Sequence, residues 1–190
     1  MRFKPFPVIE SKRLFLRNIE ESDCEEVLFL RSDKTINKFI ERPENRKTKN
    51  ISDALKFIKE LKEYIENNTS IAWGITLKND SKIIGTICLW NFSQDNKIAE
   101  VGYDLNPQFQ GKGIMNEALQ SILEFGFINL NLASIEAYTH QANESSKKLL
   151  ERNKFELIEG KQDKQNLNNI IYEIEKPVVN NESTPKTPQH

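Results

Sequence analysis

The run from Ile98 to Leu119, IAEVGYDLNPQFQGKGIMNEAL, constrains the fold of this chain more than any other segment. Ile98 to Leu105 alternate as a strand does, and Asn106 and Pro107 then stop the ladder, because proline has no N–H to donate. From Gly113 onward Met115, Ala118, Leu119, Ile122 and Phe125 recur on one helical face. A strand therefore passes through a glycine-bearing turn directly into a helix. The chain has only 7 glycines, and two of them, Gly111 and Gly113, stand one residue apart in that turn. Glycine lets a backbone approach a ligand without Cβ interference and permits positive φ. A helix start adds unpaired N–H groups and the positive end of the helix dipole. Together they favour an anion, phosphate above all, and Lys112 adds a point charge. The spacing is neither G-x-x-x-x-G-K-[ST], since Lys112 lies between the glycines, nor G-x-G-x-x-G, since Asn116 stands where a third glycine is required. On spacing alone, a phosphate cradle and a plain strand-to-helix turn remain equally open.

The rest of the chain supplies a sheet for that strand. Residues 13–19, RLFLRNI, read as a strand, and ESDCEEVLFL follows as a helix with Ser22 and Glu25 spaced as a capping box. Residues 31–50 are polar and read as a long loop or broken helix, a length that is commonly functional. Ile51, Leu55, Ile58, Leu61 and Ile65 repeat at helical spacing, with Asn50 or Ser52 as the cap. IAWGITLK, NDSK and IIGTICLW form a hairpin, and IAEVGYDL adds a third antiparallel run. ASIEAYTH (133–140) returns through a helical crossover, which predicts that it lies parallel to the strand before the glycines. NESSKKLLERN is a further helix, and FELIEG with NIIYEIE (169–175) reads as a closing hairpin. The expected class is α/β (α+β), a mixed, mostly antiparallel sheet of six to seven strands flanked by about four helices. Residues 1–176 are expected to form one domain and 177–190, rich in proline and polar residues, a disordered tail.

Composition removes several function classes. With 27 basic against 28 acidic residues, the net charge of −1 gives no basic excess for general nucleic-acid binding, so a polyanion site must be local. No apolar run approaches the roughly 18 residues of a membrane span, and the start MRFKPFPVIESK has no signal-like segment, so the expected address is the cytoplasm. Cys24 and Cys88 have no metal-ligand spacing and read as reduced, packed thiols, with no metal expected.

Gln108-Phe109-Gln110-Gly111-Lys112-Gly113 resembles the Q/R-x-x-G-x-G/A signature of the GNAT acetyltransferases. SKRLFLRNIEESD is similar to that family's opening strand and helix cap, and NESSKKLLERNKF to its later N-x-x-S helix. The three motifs occur in order across residues 10 to 175, and most resemble the Rim-type enzymes that acetylate the N-terminal amines of ribosomal proteins. The resemblance implies that the central strands splay, that acetyl-coenzyme A is the acetyl donor, and that it lies against Val101, Tyr103, Leu105, Gln108, Gln110, Gly111, Lys112, Gly113, Ile114, Met115, Asn143 and Ser146. Alternation along AEVGYDL sets Glu100, Gly102 and Asp104 on one face and Val101, Tyr103 and Leu105 on the other. Beside the implied cleft, Glu100 is the candidate general base, directly or through water; a solvated strand carboxylate is the competing reading. Ser146 and Tyr138 are the candidate acids for the departing thiolate, while Asn143 and Ser146, three residues apart, also fit a helix N-cap and its first turn. Lys147 and Lys148 are candidate nucleotide contacts or simply a basic face. Lys154 replaces a glycine common in the family, and the usual helix-end geometry then requires it to adopt the left-handed conformation.

The acceptor is expected to be a primary amine, either a protein N-terminus or a small molecule such as a polyamine, amino acid or antibiotic. A non-catalytic acyl-coenzyme A-binding module is the alternative from another class. Residues 31–50 and 160–168, with Trp73, Trp90 and Asn91, are the expected walls of the acceptor cleft, and the basic stretch 42–49 suits an acidic or phosphate-bearing partner. No nucleic-acid or membrane partner is expected, and the chain is expected to be a monomer or homodimer.

Overall fold

The structure, a computed structural model, describes residues 2–177; the expected tail lies outside them apart from Pro177. Among the described residues there are eight strands and four α-helices: β1 (Ile9–Glu10), β2 (Leu14–Arg17), α1 (Cys24–Ser32), α2 (Ile51–Glu66), β3 (Ile71–Leu77), β4 (Gly85–Trp90), β5 (Ile98–Leu105), α3 (Ile114–Glu124), β6 (Ser134–His140), α4 (Glu144–Arg152), β7 (Glu156–Leu157) and β8 (Asn169–Glu175). The strand beyond the expected six to seven is the two-residue β1, too short to leave a pattern in sequence. All eight belong to one sheet ordered β1-β2-β3-β4-β5-β6-β8-β7. Every pairing is antiparallel except β5 with β6. That parallel pairing covers only Ile98↔Ser134, Ala99↔Ile135 and Glu100↔Glu136. Beyond Glu100, β5 continues to Leu105 paired with β4 alone, while β6 continues to His140 paired with β8. The centre of the sheet is therefore a fork with its apex at Glu100 and Glu136.

Apolar residues cover both faces. On one, Leu14, Leu16, Trp73, Ile87, Leu89, Val101 and Leu105 pack with Ile114, Met115, Ala118, Leu119 and Ile122 of α3 and Leu150 of α4. On the other, Ile19, Ala72 and Ile83 pack with Val27 and Leu30 of α1 and Ala54, Ile58 and Leu61 of α2. Two helix layers on a central sheet suit strands buried from both sides, such as β3, whose residues 71–76 are all buried.

Local sequence explains the ends of these elements. Asn50 caps α2 by accepting from the Asp53 N–H at 3.0 Å. The expected Ser22/Glu25 box is displaced. Asp23 instead accepts from the Glu20 N–H at 2.8 Å and holds Arg17 through both oxygens at 2.8 Å, because a bidentate arginine on β2 outcompetes a solvated serine. Gly126 has no room for a side chain: a Cβ there would sit 2.8 Å from Ile135 Cδ1. Lys154 does take the left-handed conformation, φ 67°, and the Lys154 and Phe155 N–H groups donate to the Glu151 and Leu150 carbonyls. Trp73 is fully buried and donates its indole N–H to the Pro7 carbonyl at 2.7 Å, so it belongs to the core and is not a wall of the cleft.

Candidate active site

The splayed strands open a cleft of about 1930 Å³. At one end lies the glycine turn. Asn106 accepts from the Gln108 N–H at 3.0 Å, starting a short 3-10 turn at Pro107–Phe109. Gln110 donates its side-chain amide to the Leu105 carbonyl at 3.1 Å, which ties the turn to the end of β5. Gly111 and Gly113 both have φ 72°, a conformation costly for any residue with a Cβ. A Cβ built on Gly111 would meet nothing within 4 Å, so the glycine faces open space. The turn is braced from behind by the link between β1 and β2. Arg13 donates to the Lys112 carbonyl at 2.9 Å and to Glu117 Oε2 at 2.6 Å, while Ser11 Oγ and the Arg13 N–H both donate to Glu117 Oε1 at 2.7 Å. The side chain of Arg13, 45% exposed, thus fixes a loop about a hundred residues away in sequence. Gln110, Gly111, Gly113, Ile114 and Met115 line the cleft; Gln108 and Lys112 are not among its lining residues.

The side walls of the cleft follow the alternation of β5. Val101 and Leu105 are buried toward α3, and Tyr103 reaches α4, where its hydroxyl and Ser146 Oγ share a hydrogen bond of 2.8 Å. Burial pushes the Tyr103 phenol up to about 12, with the Ser146 hydrogen bond opposing. Asn143 is the N-cap of α4 and accepts from the Ser146 N–H at 3.3 Å and from Ser145 Oγ at 2.9 Å. Ser146 is thereby held at the cleft, with Lys148 lining it as well; Lys147 instead pairs with Glu144 at 2.7 Å. Asn116, the residue that breaks the dinucleotide fingerprint, accepts from the Asn153 amide at 2.9 Å and ties α3 to α4.

The opposite face of β5 presents Glu100, Gly102 and Asp104. Glu100 is half-buried at the apex of the fork. Burial first, and then the neighbouring carboxylates Asp163 and Glu136, push its carboxyl up from 4.5 to about 7, against a long hydrogen bond of 3.5 Å from the Asn91 amide and the charge of Lys161. Glu136 has its own partners, an ion pair with Lys161 at 2.5 Å and the Tyr138 hydroxyl at 3.1 Å. Tyr138, burdened by burial and that carboxylate, is raised far above an ordinary phenol. Asp104 accepts from the Thr86 N–H and hydroxyl, both at 3.0 Å, and burial raises its carboxyl. Trp90 and Asn91 line this side, as do residues 162–166 and much of 35–48. His140 ends β6 with Nδ1 accepting from the Ala142 N–H at 3.1 Å and its ring 5.1 Å from Phe39, a structural role that anchors the 31–50 segment to the far side of the fork. Cys24 and Cys88 are free.

The arrangement combines an anion-seeking turn, an unpaired strand edge from Val101 to Leu105 and a carboxyl titrating near neutrality at the apex. The family model described as an acetyltransferase (GNAT) domain matches residues 13–156. The chain belongs to the GNAT acetyltransferase family. The uncharacterized N-acetyltransferase YoaA of Bacillus subtilis (strain 168) is 29% identical over 147 residues, 76% of this chain and 80% of that protein. The uncharacterized N-acetyltransferase p20 of Bacillus licheniformis is 32% identical over 140 residues, 74% of this chain and 77% of that protein. Among solved structures, RimL, a ribosomal L7/L12 alpha-N-protein acetyltransferase in complex with coenzyme A, superposes with a TM-score of 0.75 over 89% of this chain and 98% of that one, at 20% identity. The GNAT fold and an acyltransferase activity are thus properties of the chain.

Of the residues singled out from sequence, Glu100, Tyr103, Gln110, the two glycines, Asn143 and Ser146 all line one cleft. Sequence reasoning missed Arg13 with Glu117, whose signal was present in SKRLFLR and GIMNEAL as complementary charges but whose pairing depends on β2 lying beside α3. It also missed the Glu136, Asp163 and Lys161 charges around Glu100, which converge only through the β6–β8 pairing.

Proposed function

We propose that the protein transfers an acetyl group from acetyl-coenzyme A to a primary amine, and that the amine is the N-terminus of a protein. The reading is carried by Glu100, a carboxyl raised to about 7 at the fork apex, about 17 Å of strand away from the glycine turn at the rise of 3.3 Å per residue along β5. Gly111, with open space where a side chain would stand, and Gly113, whose Cβ position lies 3.5 Å from Arg13 Nη2, suit a pyrophosphate, and the free edge of Val101–Leu105 suits an extended arm laid along it. These residues would hold the donor; when bound, it supplies the activated acetyl thioester.

The chain's own groups perform the proton chemistry. An amine arrives as ammonium and is drawn by the carboxylates of Glu100 and Asp163 beside the Asn91 amide. Glu100, its carboxyl raised to about 7, accepts the ammonium proton directly or through one water. N–H groups on the open edge of β5 face the region where negative charge develops on the carbonyl oxygen. The Ser146–Tyr103 pair delivers a proton to the sulfur as its bond to the acetyl carbon breaks, and the second proton shed by the acetylated nitrogen restores the pair, so the two protons lost from the ammonium end on Glu100 and on sulfur. Tyr138, engaged with Glu136, is the weaker candidate. A protein acceptor is supported by the Rim-like order of the motifs and by the breadth of the cleft, and a cytoplasmic address accords with such an acceptor.

The test is thiol release from acetyl-coenzyme A in the presence of peptides with free or pre-acetylated N-termini, with mass spectrometry of the product. Release that depends on a free α-amine, with +42 Da on that terminus, is the expected result. Coenzyme A binding without turnover of any amine would instead identify a binding module.

A further inference from the structure

The acceptor side of the cleft holds two arginines that no described residue meets as a counter-ion. Arg31, from the last turn of α1, and Arg42, from the segment after it, are half-buried and line the cleft. Neither has an ion-pair partner among the described residues. Desolvating a cation without a partner is costly, and here the two also repel: burial first, and then the Arg42 charge, lower Arg31 to about 10. Burial likewise lowers Arg42, with Asp104 across the cleft opposing. Asp104 is committed to Thr86 through two hydrogen bonds and does not reach either guanidinium as an ion pair.

Both guanidiniums are nevertheless held in place. Arg31 stacks on Phe57, with Cζ 3.6 Å from the ring centroid, and donates from Nε to Thr48 Oγ1 at 2.8 Å and from Nη2 to the Arg46 carbonyl at 3.0 Å. Arg42 donates from Nη1 to Asn37 Oδ1. The orientation of Asn37 is itself fixed, because its amide donates to the Leu30 and Asp33 carbonyls at 2.9 and 2.8 Å. Arg31 Nη1 and Arg42 Nε and Nη2 are left with no hydrogen-bond acceptor among the described residues. Two held, partly desolvated guanidiniums with free N–H groups in one cleft have the chemistry that suits an oxyanion.

Resting on the reading of the chain as an amine acetyltransferase, we infer that Arg31 and Arg42 bind an oxyanion of the acceptor, and that the acceptor is a peptide N-terminus with a carboxylate or phosphate a few residues downstream. Distance selects the peptide. The charges of both arginines act on Asp104, which sets them near it, and Asp104 lies four residues along β5 from Glu100, about 13 Å at strand rise. A free α-amino acid carries its amine and its carboxylate on one carbon and cannot span that interval; an extended peptide covers it within about four residues.

Matched hexapeptides with free N-termini test this: Glu, Gln or phosphoserine at position 3 or 4, each assayed for kcat/KM with the full chain. The expected result is about a tenfold preference for the Glu or phosphoserine peptide over its Gln counterpart, the scale of one charge-assisted hydrogen bond. Arg42→Gln and Arg31→Gln each bring the ratio toward one, and Arg42→Lys keeps part of it. Comparing the Glu and phosphoserine arms assigns the anion. Calorimetric titration of inorganic phosphate into the protein saturated with coenzyme A gives a readout free of turnover, with binding expected for the wild type and lost in Arg42→Gln. Equal turnover of charged and neutral peptides, or a preference that survives in both variants, overturns the inference while leaving the acetyltransferase reading intact. Absence of turnover with every amine, together with no phosphate binding, overturns both.

Discussion

Replacing Glu100 by glutamine separates its chemical role from its cost to the fold. The side chain keeps its size and its contact with Asn91 but can neither accept a proton nor carry charge. A positioned general base contributes about 10²- to 10⁴-fold to rate, so kcat for peptide acetylation should fall by that factor while coenzyme A affinity, set at the other end of β5, is retained. Stability should move the opposite way. Burial and the Asp163 and Glu136 carboxylates raise the Glu100 carboxyl from 4.5 to about 7 in the folded protein. The folded state therefore keeps a proton that the unfolded chain has lost, and the contribution of this group is fully present below pH 4.5 and is lost as pH rises through 7. Between those limits the rise corresponds to about 3 kcal/mol. Glutamine does not titrate, so above pH 7.5 the variant should be the more stable by up to about that amount, several degrees in Tm for a chain of this length, with the difference shrinking toward pH 4.5. The assays are kcat/KM against pH from 5.5 to 9 and thermal unfolding over the same range. The wild type should show a limb near pH 7 that disappears in the variant, leaving only the limb of the peptide α-amine near 8. Unchanged turnover, or a limb near 7 that persists with glutamine in place, would refute the assignment of Glu100 as base.

Three further outcomes follow from the same geometry. Gly113→Asp places a Cβ at φ 72° and a negative charge at the start of α3, and should cost about 1–2 kcal/mol of stability and abolish measurable coenzyme A binding by calorimetry; full-strength binding would show that the turn is not the phosphate site. Ser146→Ala and Tyr103→Phe should each lower kcat, and the double variant should lose less than the product of the two if they act as one hydrogen-bonded pair, whereas strictly multiplicative losses would mean independent roles. Lys154→Gly should raise stability by about 1 kcal/mol, because lysine holds φ 67° at the end of α4 at a cost that glycine does not bear; a lower Tm would mean that the lysine side chain contributes more than the strain.

What the sequence revealed and what it concealed divide along the range of the interactions. The turn at 106–113, the helix caps at Asn50 and Asn143 and the alternation of β5 are set by neighbours within four residues, and each was legible from residue type and spacing. Lys154 was legible for the same reason, since the left-handed helix end is a local requirement. The misreadings arise where a distant partner competes with the local pattern. Asp23 displaces the Ser22 cap because Arg17 on β2 pulls it, and Trp73, expected as a cleft wall, is drawn into the core by the Pro7 carbonyl and the edge of Phe125. Arg13 bracing Lys112 and Glu117 has the same character: the residues are visible in the chain, but their meeting requires the whole sheet.

The period of two along β5 explains why donor and acceptor differ so much in legibility. One face of the strand, Val101, Tyr103 and Leu105, adjoins α3 and α4 and the glycine turn, all reached by continuous chain within about fifty residues, and the ligand it serves is chemically invariant. The other face, Glu100, Gly102 and Asp104, adjoins residues from 31–48, from 90–91 and from 161–166, three segments with no shared spacing that can vary without disturbing the turn. A register slip of one residue would exchange the faces and put Glu100 into the core beside Leu119 and Ile122, so the antiparallel ladder with β4 holds the division in place. On the proposed reading, acceptor choice can change through the 31–48 and 161–166 segments while the donor face stays fixed. Exchanging 31–48 for the corresponding segment of a relative should accordingly switch the preferred peptide and leave coenzyme A affinity within about twofold; a loss of cofactor binding in such a chimera would mean that the two faces are energetically coupled through β5.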